Sequence, residues 1–197
     1  MTDRAAIGSE PLEELLALLA GAEGLSVELR ERECSDRDLL ERAKRARAIL
    51  GDTPLSINRR FDVSLAAGAK GVHLPASGLP VGRVKANTPR GFRVGASTHS
   101  AAEATAAIEA GADVVVLGPI FDTPSKGAYG KPLGPAALTE LPPTSSHAAE
   151  VYAIGGINLE NVGQLLPFRD RMAGVAAVRL FQEASDPRAV LTRLAAL

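Results

Sequence analysis

The sequence has no tryptophan, a single cysteine and an aromatic content of only 4%. One thiol, Cys34, cannot close an internal disulfide, and cysteine-based metal ligation falls on the same count. Scarce aromatics and a formal net charge of −1 leave neither a stacking platform nor a broad basic face, so no nucleic-acid partner is expected. No run comes near the ~18 apolar residues that a bilayer span needs, and the start lacks the charged-then-apolar pattern of a secretory signal. A cytoplasmic protein without a membrane partner is the simplest expectation. Cations that matter should be local and aimed at a small anionic ligand.

What is present is 46% apolar content over 197 residues, enough for one domain, 1–197, with a sizeable core. The chain is organised around Asp113 to Lys126, DVVVLGPIFDTPSK. Val114 to Leu117 form an unbroken apolar, mostly β-branched run, as in a strand buried on both faces. Gly118-Pro119 ends it, and Thr123, Ser125 and Lys126 follow within four positions. Two hydroxyls and an ammonium at the carboxyl end of a buried parallel strand suit a cluster of phosphate oxygens. A solvated loop with turn-forming Thr and Ser is the plainer alternative.

The same unit recurs along the chain. Pro11 to Ala22 carries Leu12, Leu15, Leu16 and Leu19 on one helical face. Leu25 to Arg30 reads as a strand, and Ser35 with Asp38 resembles a capping box opening a helix that stops near Gly51. Further strands are expected at Pro54 to Asn58, Gly71 to Leu74, Arg93 to Ala96, Val151 to Ile154 and Gly174 to Val178. Between them come helices capped by Asp62, near Pro80 to Ala86, at Ala101 to Ala110, Pro135 to Glu140 and Leu159 to Leu166, and after Asp186. Alternation without a polar strand face argues for a parallel sheet, and the expected fold is α/β, a single (β/α)8 TIM barrel. Only Met1 to Arg4 precedes the first helix, so the first strand is expected to be truncated, or the start codon to lie upstream.

Several strand ends resemble one family. Ile57-Asn58 with Asp62 to Leu74 (DVSLAAGAKGVHL), Gly95 to Ser100 (GASTHS), Leu117 to Lys126 (LGPIFDTPSK) and Ala153 to Ile157 (AIGGI) look like thiamine phosphate synthase and its relative, the thiazole tautomerase TenI. Met1 to Arg4 resembles the end of that family's first strand, and the likeness runs over essentially the whole chain. It implies an eightfold barrel, a site at the carboxyl ends of the strands, and phosphorylated thiazole and pyrimidine substrates. A homo-oligomer, dimer or larger, is also implied. In the synthase a thiazole phosphate attacks a pyrimidine methyl pyrophosphate and displaces pyrophosphate, helped by magnesium. Arg30, Arg32, Asn58, Ser97 and Lys126 fall where the family holds the pyrophosphate. Thr123, Ser125 and the Gly155-Gly156 turn fall where it holds the thiazole phosphate, and glycine there lets backbone amides approach closely.

The sequence also departs from the synthase pattern. Gln-x-Arg-Glu-Lys becomes Glu28-Leu29-Arg30-Glu31-Arg32, which puts a carboxylate beside the pyrophosphate position. Asp after Asn is Arg59, and the second Asp, expected beyond His73, is absent from Pro75 to Gly78. Magnesium is ordinarily held by one or two carboxylates plus substrate phosphates, so no metal is expected; the synthase alternative would call for Mg2+. These features look more like TenI, which moves a proton without metal. A TenI-like tautomerase is therefore the leading expectation, with the synthase and a non-catalytic precursor binder as alternatives. Pro119 stands where some tautomerases place a His, so Glu28 is the candidate base and His99 a second. Arg179, where the family has Ser, could meet a ligand phosphate or carboxylate. His73 reads as a core histidine, and His147, in a Ser/Pro-rich loop, as inert.

Overall fold

The computed structural model describes residues 1–3, 12–123 and 131–196. In chain order the elements are α1 (Leu12–Leu19), β1 (Val27–Leu29), α2 (Asp36–Leu50), β2 (Leu55–Asn58), α3 (Phe61–Ala66) and β3 (Gly71–Leu74). Then follow α4 (Val81–Lys85), β4 (Arg93–Thr98), α5 (Ala101–Glu109), β5 (Val114–Leu117), β6 (Glu150–Ile154) and β7 (Gly174–Ala176). The chain continues through α6 (Arg179–Gln182) and α7 (Pro187–Ala195). The class is α/β, with seven parallel strands among the described residues alternating with helical segments as in β/α barrels.

The chain divides into two compact units, Met1–His73 with Val178–Leu197, and Leu74–Ala177. In the first, β1 pairs with β2 through Val27–Leu55 to Leu29–Ile57, and β2 with β3 through Ser56–Gly71 to Asn58–His73. Helix α2 shows why these residues fold so. The Ser35 hydroxyl accepts from the Asp38 amide at 3.2 Å, satisfying a first-turn donor. Leu39, Ala43, Ala46 and Leu50 then form one buried stripe, and Gly51 ends the helix at φ 57°. Their packing with Leu12, Leu16, Leu29 and Ile57 builds this unit's core.

Residues 1–3 lie along the edge of β1 that β2 leaves open. The Thr2 amide donates to the Glu28 carbonyl at 2.8 Å, and the Arg30 amide donates to the Thr2 hydroxyl at 3.0 Å. Met1 to Asp3 thus occupy the place expected for a first-strand remnant without forming a strand.

In the second unit β4, β5, β6 and β7 pair in sequence order. Val115, Val116 and Leu117 are all buried, as a strand covered on both faces requires. Some elements differ from expectation for local reasons. Where a helix was expected from Leu159 to Leu166, the chain forms a 3-10 segment, Val162–Phe168, with Pro167 inside it; proline lacks the N–H that an α-helical turn needs. Pro135–Glu140 is likewise 3-10. Asp62 does not cap α3: its carboxylate is taken by the Arg60 guanidinium at 2.7 and 2.9 Å, and Arg60 itself occupies the cap position. Strand β7 stops at Ala176, two residues short of Val178.

Candidate active site

The first unit gathers a polar cluster on the inward residues of β1, β2 and β3. Glu28 is buried at 8% exposure, and its Oε1 accepts from Asn58 Nδ2 at 2.8 Å. His73 Nδ1 lies 3.8 Å from Glu28 Oε2, and His73 is buried on β3. The strand register explains the grouping. Glu28 stands opposite Ser56, Asn58 is two residues on from Ser56 on the same face, and Asn58 stands opposite His73.

One residue past β1, Arg30 pairs with Asp3, Nη1 to Oδ2 at 2.6 Å, with the arginine side chain only 17% exposed. Asp3 answers part of the cost of placing that guanidinium in a half-buried position. Arg32 is exposed in the turn that follows. Arg59, directly after β2, is exposed and adopts φ 66°, a left-handed conformation that costs a non-glycine residue ~1–2 kcal/mol. Its amide donates to the His73 carbonyl at 2.8 Å, which holds it there. Arg60 bridges Asp62 and Asp36, and these carboxylates hold its guanidinium above the ordinary arginine value. The Arg60 hydrogen bond in turn holds Asp62 below the usual carboxylate range. Arg179 opens α6 and pairs with Glu183 at 3.5 Å, with both side chains exposed.

In the second unit Ser97 is half-buried on β4, and His99 follows that strand. His99 Nδ1 is 2.8 Å from the Gly118 carbonyl oxygen. A carbonyl only accepts, so Nδ1 carries the proton. Gly118-Pro119 is a cis peptide at the end of β5, and Thr123 is half-buried beyond it. The Ile120 and Phe121 amides donate to the Ile154 and Gly155 carbonyls at 2.8 and 2.9 Å. Gly155 (φ 101°) and Gly156 (φ 64°) both lie in the left-handed region. A Cβ on Gly155 would sit 2.6 Å from Pro119 Cα, and one on Gly156 would strike the Asp122 carbonyl. Their lack of side chains is therefore already required by the neighbouring loop. Ser125 and Lys126 lie outside the described residues.

Sequence reasoning missed three supporting residues. Asp3 anchors Arg30, Asn161 Nδ2 donates to the Gly156 carbonyl at 2.8 Å, and Glu103 accepts from the His99 amide at 2.8 Å. Ser100-x-x-Glu103 is a capping-box pattern and could have revealed the last. Asp3 and Asn161 carry no such local signature.

A model of the thiamine monophosphate synthase family matches residues 1–181. The chain belongs to that family. It is 43% identical over 167 residues to a thiamine-phosphate synthase of Methanoculleus marisnigri, covering 83% of this chain and 78% of the relative. A thiamine-phosphate synthase of Methanoregula boonei is 36% identical over 181 residues, covering 90% and 83%. Among solved structures, thiamine phosphate pyrophosphorylase from Pyrococcus furiosus superposes with a TM-score of 0.81 at 29% identity, covering 99% of this chain and 91% of that one. The family is one of enzymes, as expected. These names favour the synthase, given above as an alternative, over the tautomerase.

The magnesium ion that the synthase resemblance implies does not fit the residues present. After β2 the chain offers Arg59 and Arg60, and after β3 it offers Pro75, Ala76, Ser77 and Gly78. The nearest carboxylate in sequence to the end of β2, Asp62, is committed to Arg60. Guanidinium groups are donors only and cannot enter a magnesium coordination shell.

Proposed function

We propose that this protein makes thiamine phosphate, joining a pyrimidine methyl pyrophosphate to a thiazole phosphate with release of pyrophosphate. The thiazole nitrogen forms a bond to the pyrimidine methylene carbon as that carbon's bond to the pyrophosphate oxygen breaks. Negative charge grows on the departing pyrophosphate, and donors already aimed at it lower the barrier. The observation that carries the reading is family membership over residues 1–181, joined to the positions of Arg30, Asn58 and Ser97 at or beside the carboxyl ends of their strands and of Thr123 in the loop that leaves β5.

In this reading Arg30, Arg59 and Lys126 supply positive charge, Asn58 and Ser97 supply hydrogen bonds, and no step passes through a metal. Thr123, Ser125 and the Gly155-Gly156 turn hold the thiazole phosphate. Arg32 and Arg179 are exposed and serve at most the rim. The substrates are small phosphorylated molecules, and the work is done in the cytoplasm.

A second reading has one specific observation behind it. Glu28 is a buried carboxylate beside His73, where a synthase would have a neutral Gln, and a buried carboxylate suits a base for tautomerising a thiazole carboxylate phosphate.

A paired turnover assay on the purified protein separates them. One arm supplies pyrimidine pyrophosphate and thiazole phosphate, with magnesium or with a chelator; the other supplies the non-aromatic thiazole tautomer without metal. Thiamine phosphate in the first arm, persisting with chelator, is the expected result. Strict dependence on magnesium would overturn the metal-free part. Aromatisation in the second arm alone would establish the tautomerase, and silence in both with phosphate binding retained would leave a precursor binder.

A further inference from the structure

We propose that His99 is a positioning residue that clamps the loop leaving β5, Gly118 to Thr123, so that it can receive a substrate phosphate; the phosphate rests on the function proposed above.

The clamp is built from both sides of the loop. On the β4 side both backbone polar groups of Gly118 are tied to consecutive residues. Its amide donates to the Thr98 carbonyl at 3.1 Å, and its carbonyl accepts from the His99 ring at 2.8 Å. On the β6 side the Ile120 and Phe121 amides donate to Ile154 and Gly155, and a Cβ at Gly118 would run into the Ile154 carbonyl. The loop therefore has one lateral position. Its β6 contacts are backbone to backbone, whereas the Gly118 carbonyl on the β4 side is held by a side chain.

That side chain is itself fixed. The His99 amide donates to Glu103 Oε2 at 2.8 Å, while the Glu103 amide donates to the Ser100 hydroxyl at 3.2 Å. The first turn of α5 thus sets the backbone from which the imidazole reaches Gly118. A phosphate site tolerates little displacement, since donors that drift by a fraction of an ångström lose both distance and angle. His99 acts through Gly118 rather than on the substrate.

The chemistry supplies a clean test, because Asn carries an N–H donor at the same branch point as His Nδ1 and has nothing in the place of Nε2. Full-length wild type, His99→Leu and His99→Asn would be compared by amide hydrogen exchange at Ile120 and Phe121, and by steady-state kinetics with thiazole phosphate varied. His99→Leu should raise exchange at both amides roughly tenfold and raise KM for thiazole phosphate about tenfold, with kcat within about threefold. His99→Asn should restore both. Unchanged exchange in His99→Leu would overturn the clamp. Loss of kcat in both variants would overturn it in favour of chemistry at Nε2. A wild type inert toward thiazole phosphate, with exchange still raised by Leu and restored by Asn, would uphold the clamp and overturn the substrate reading.

Discussion

His73 Nδ1 lies 3.8 Å from Glu28 Oε2, and the residue on the strand between them, Asn58, donates to Glu28 Oε1 at 2.8 Å. Two neighbouring parallel strands thus place Asn58 and His73 beside the buried Glu28 carboxylate of β1. Burying that charge without partners would cost several kcal/mol, so the three residues stand or fall together. Glu28→Gln keeps the shape and a hydrogen bond to Asn58 while removing the charge. The synthase reading expects it to lower KM for the pyrimidine pyrophosphate about fivefold or more, because like-charge repulsion is relieved. Under the tautomerase reading the same variant would lose activity, so one kinetic series with each substrate decides.

Arg30 is held by Asp3 at 2.6 Å, and the two side chains are 17% and 32% exposed. Arg30→Ala should abolish measurable binding of pyrophosphate in calorimetry. Asp3→Asn frees the guanidinium and should cost less than about 1 kcal/mol of stability, since the pair is partly solvated. Undiminished affinity in Arg30→Ala would move the site away from the end of β1.

Tyr152 donates to Glu150 Oε2 at 2.9 Å. Burial, and then the Glu150 carboxylate, push its phenol up to about 12. A group whose folded value is raised stabilises the fold while it keeps its proton. The contribution is complete below the ordinary phenol value of ~10 and is lost as pH rises through about 12. Phenolate absorbance in an alkaline titration should show this late phase, and Tyr152→Phe should remove it. A single ordinary phase in the wild type would contradict the burial.

Both ring nitrogens of His147 are buried without a hydrogen-bond partner among the described residues. A lone histidine in a Ser/Pro-rich loop reads as inert, and it plays no part in the proposed chemistry, yet both its ring nitrogens are shielded from solvent. An unsatisfied buried polar group costs ~1–3 kcal/mol, so His147→Leu should raise the melting temperature by roughly 2–4 °C with turnover unchanged. His147→Ala should lower it by leaving a void. A Leu variant that melts lower would mean that the ring has a partner in solution.

Periodicity and punctuation were enough to place the strands, the helical stripe of α2 with its Ser35 cap and Gly51 stop, and the order of strand ends on which the family likeness rests. Those features depend on residues within one turn or one strand of each other, where hydrogen-bond geometry and side-chain direction follow from spacing. The candidate residues at the strand ends were named chiefly through the family likeness, which rests on that order of strand ends. Their partners were not legible. Asp3 reaching Arg30 across 27 positions, His73 meeting Glu28 and His99 gripping Gly118 each depend on which strand lies beside which, and at what register. The two glycines show the division most plainly. The sequence alone determined that Gly155-Gly156 forms a turn, but only the tertiary structure decided that Pro119 and Asp122 press against it so closely that no Cβ has room.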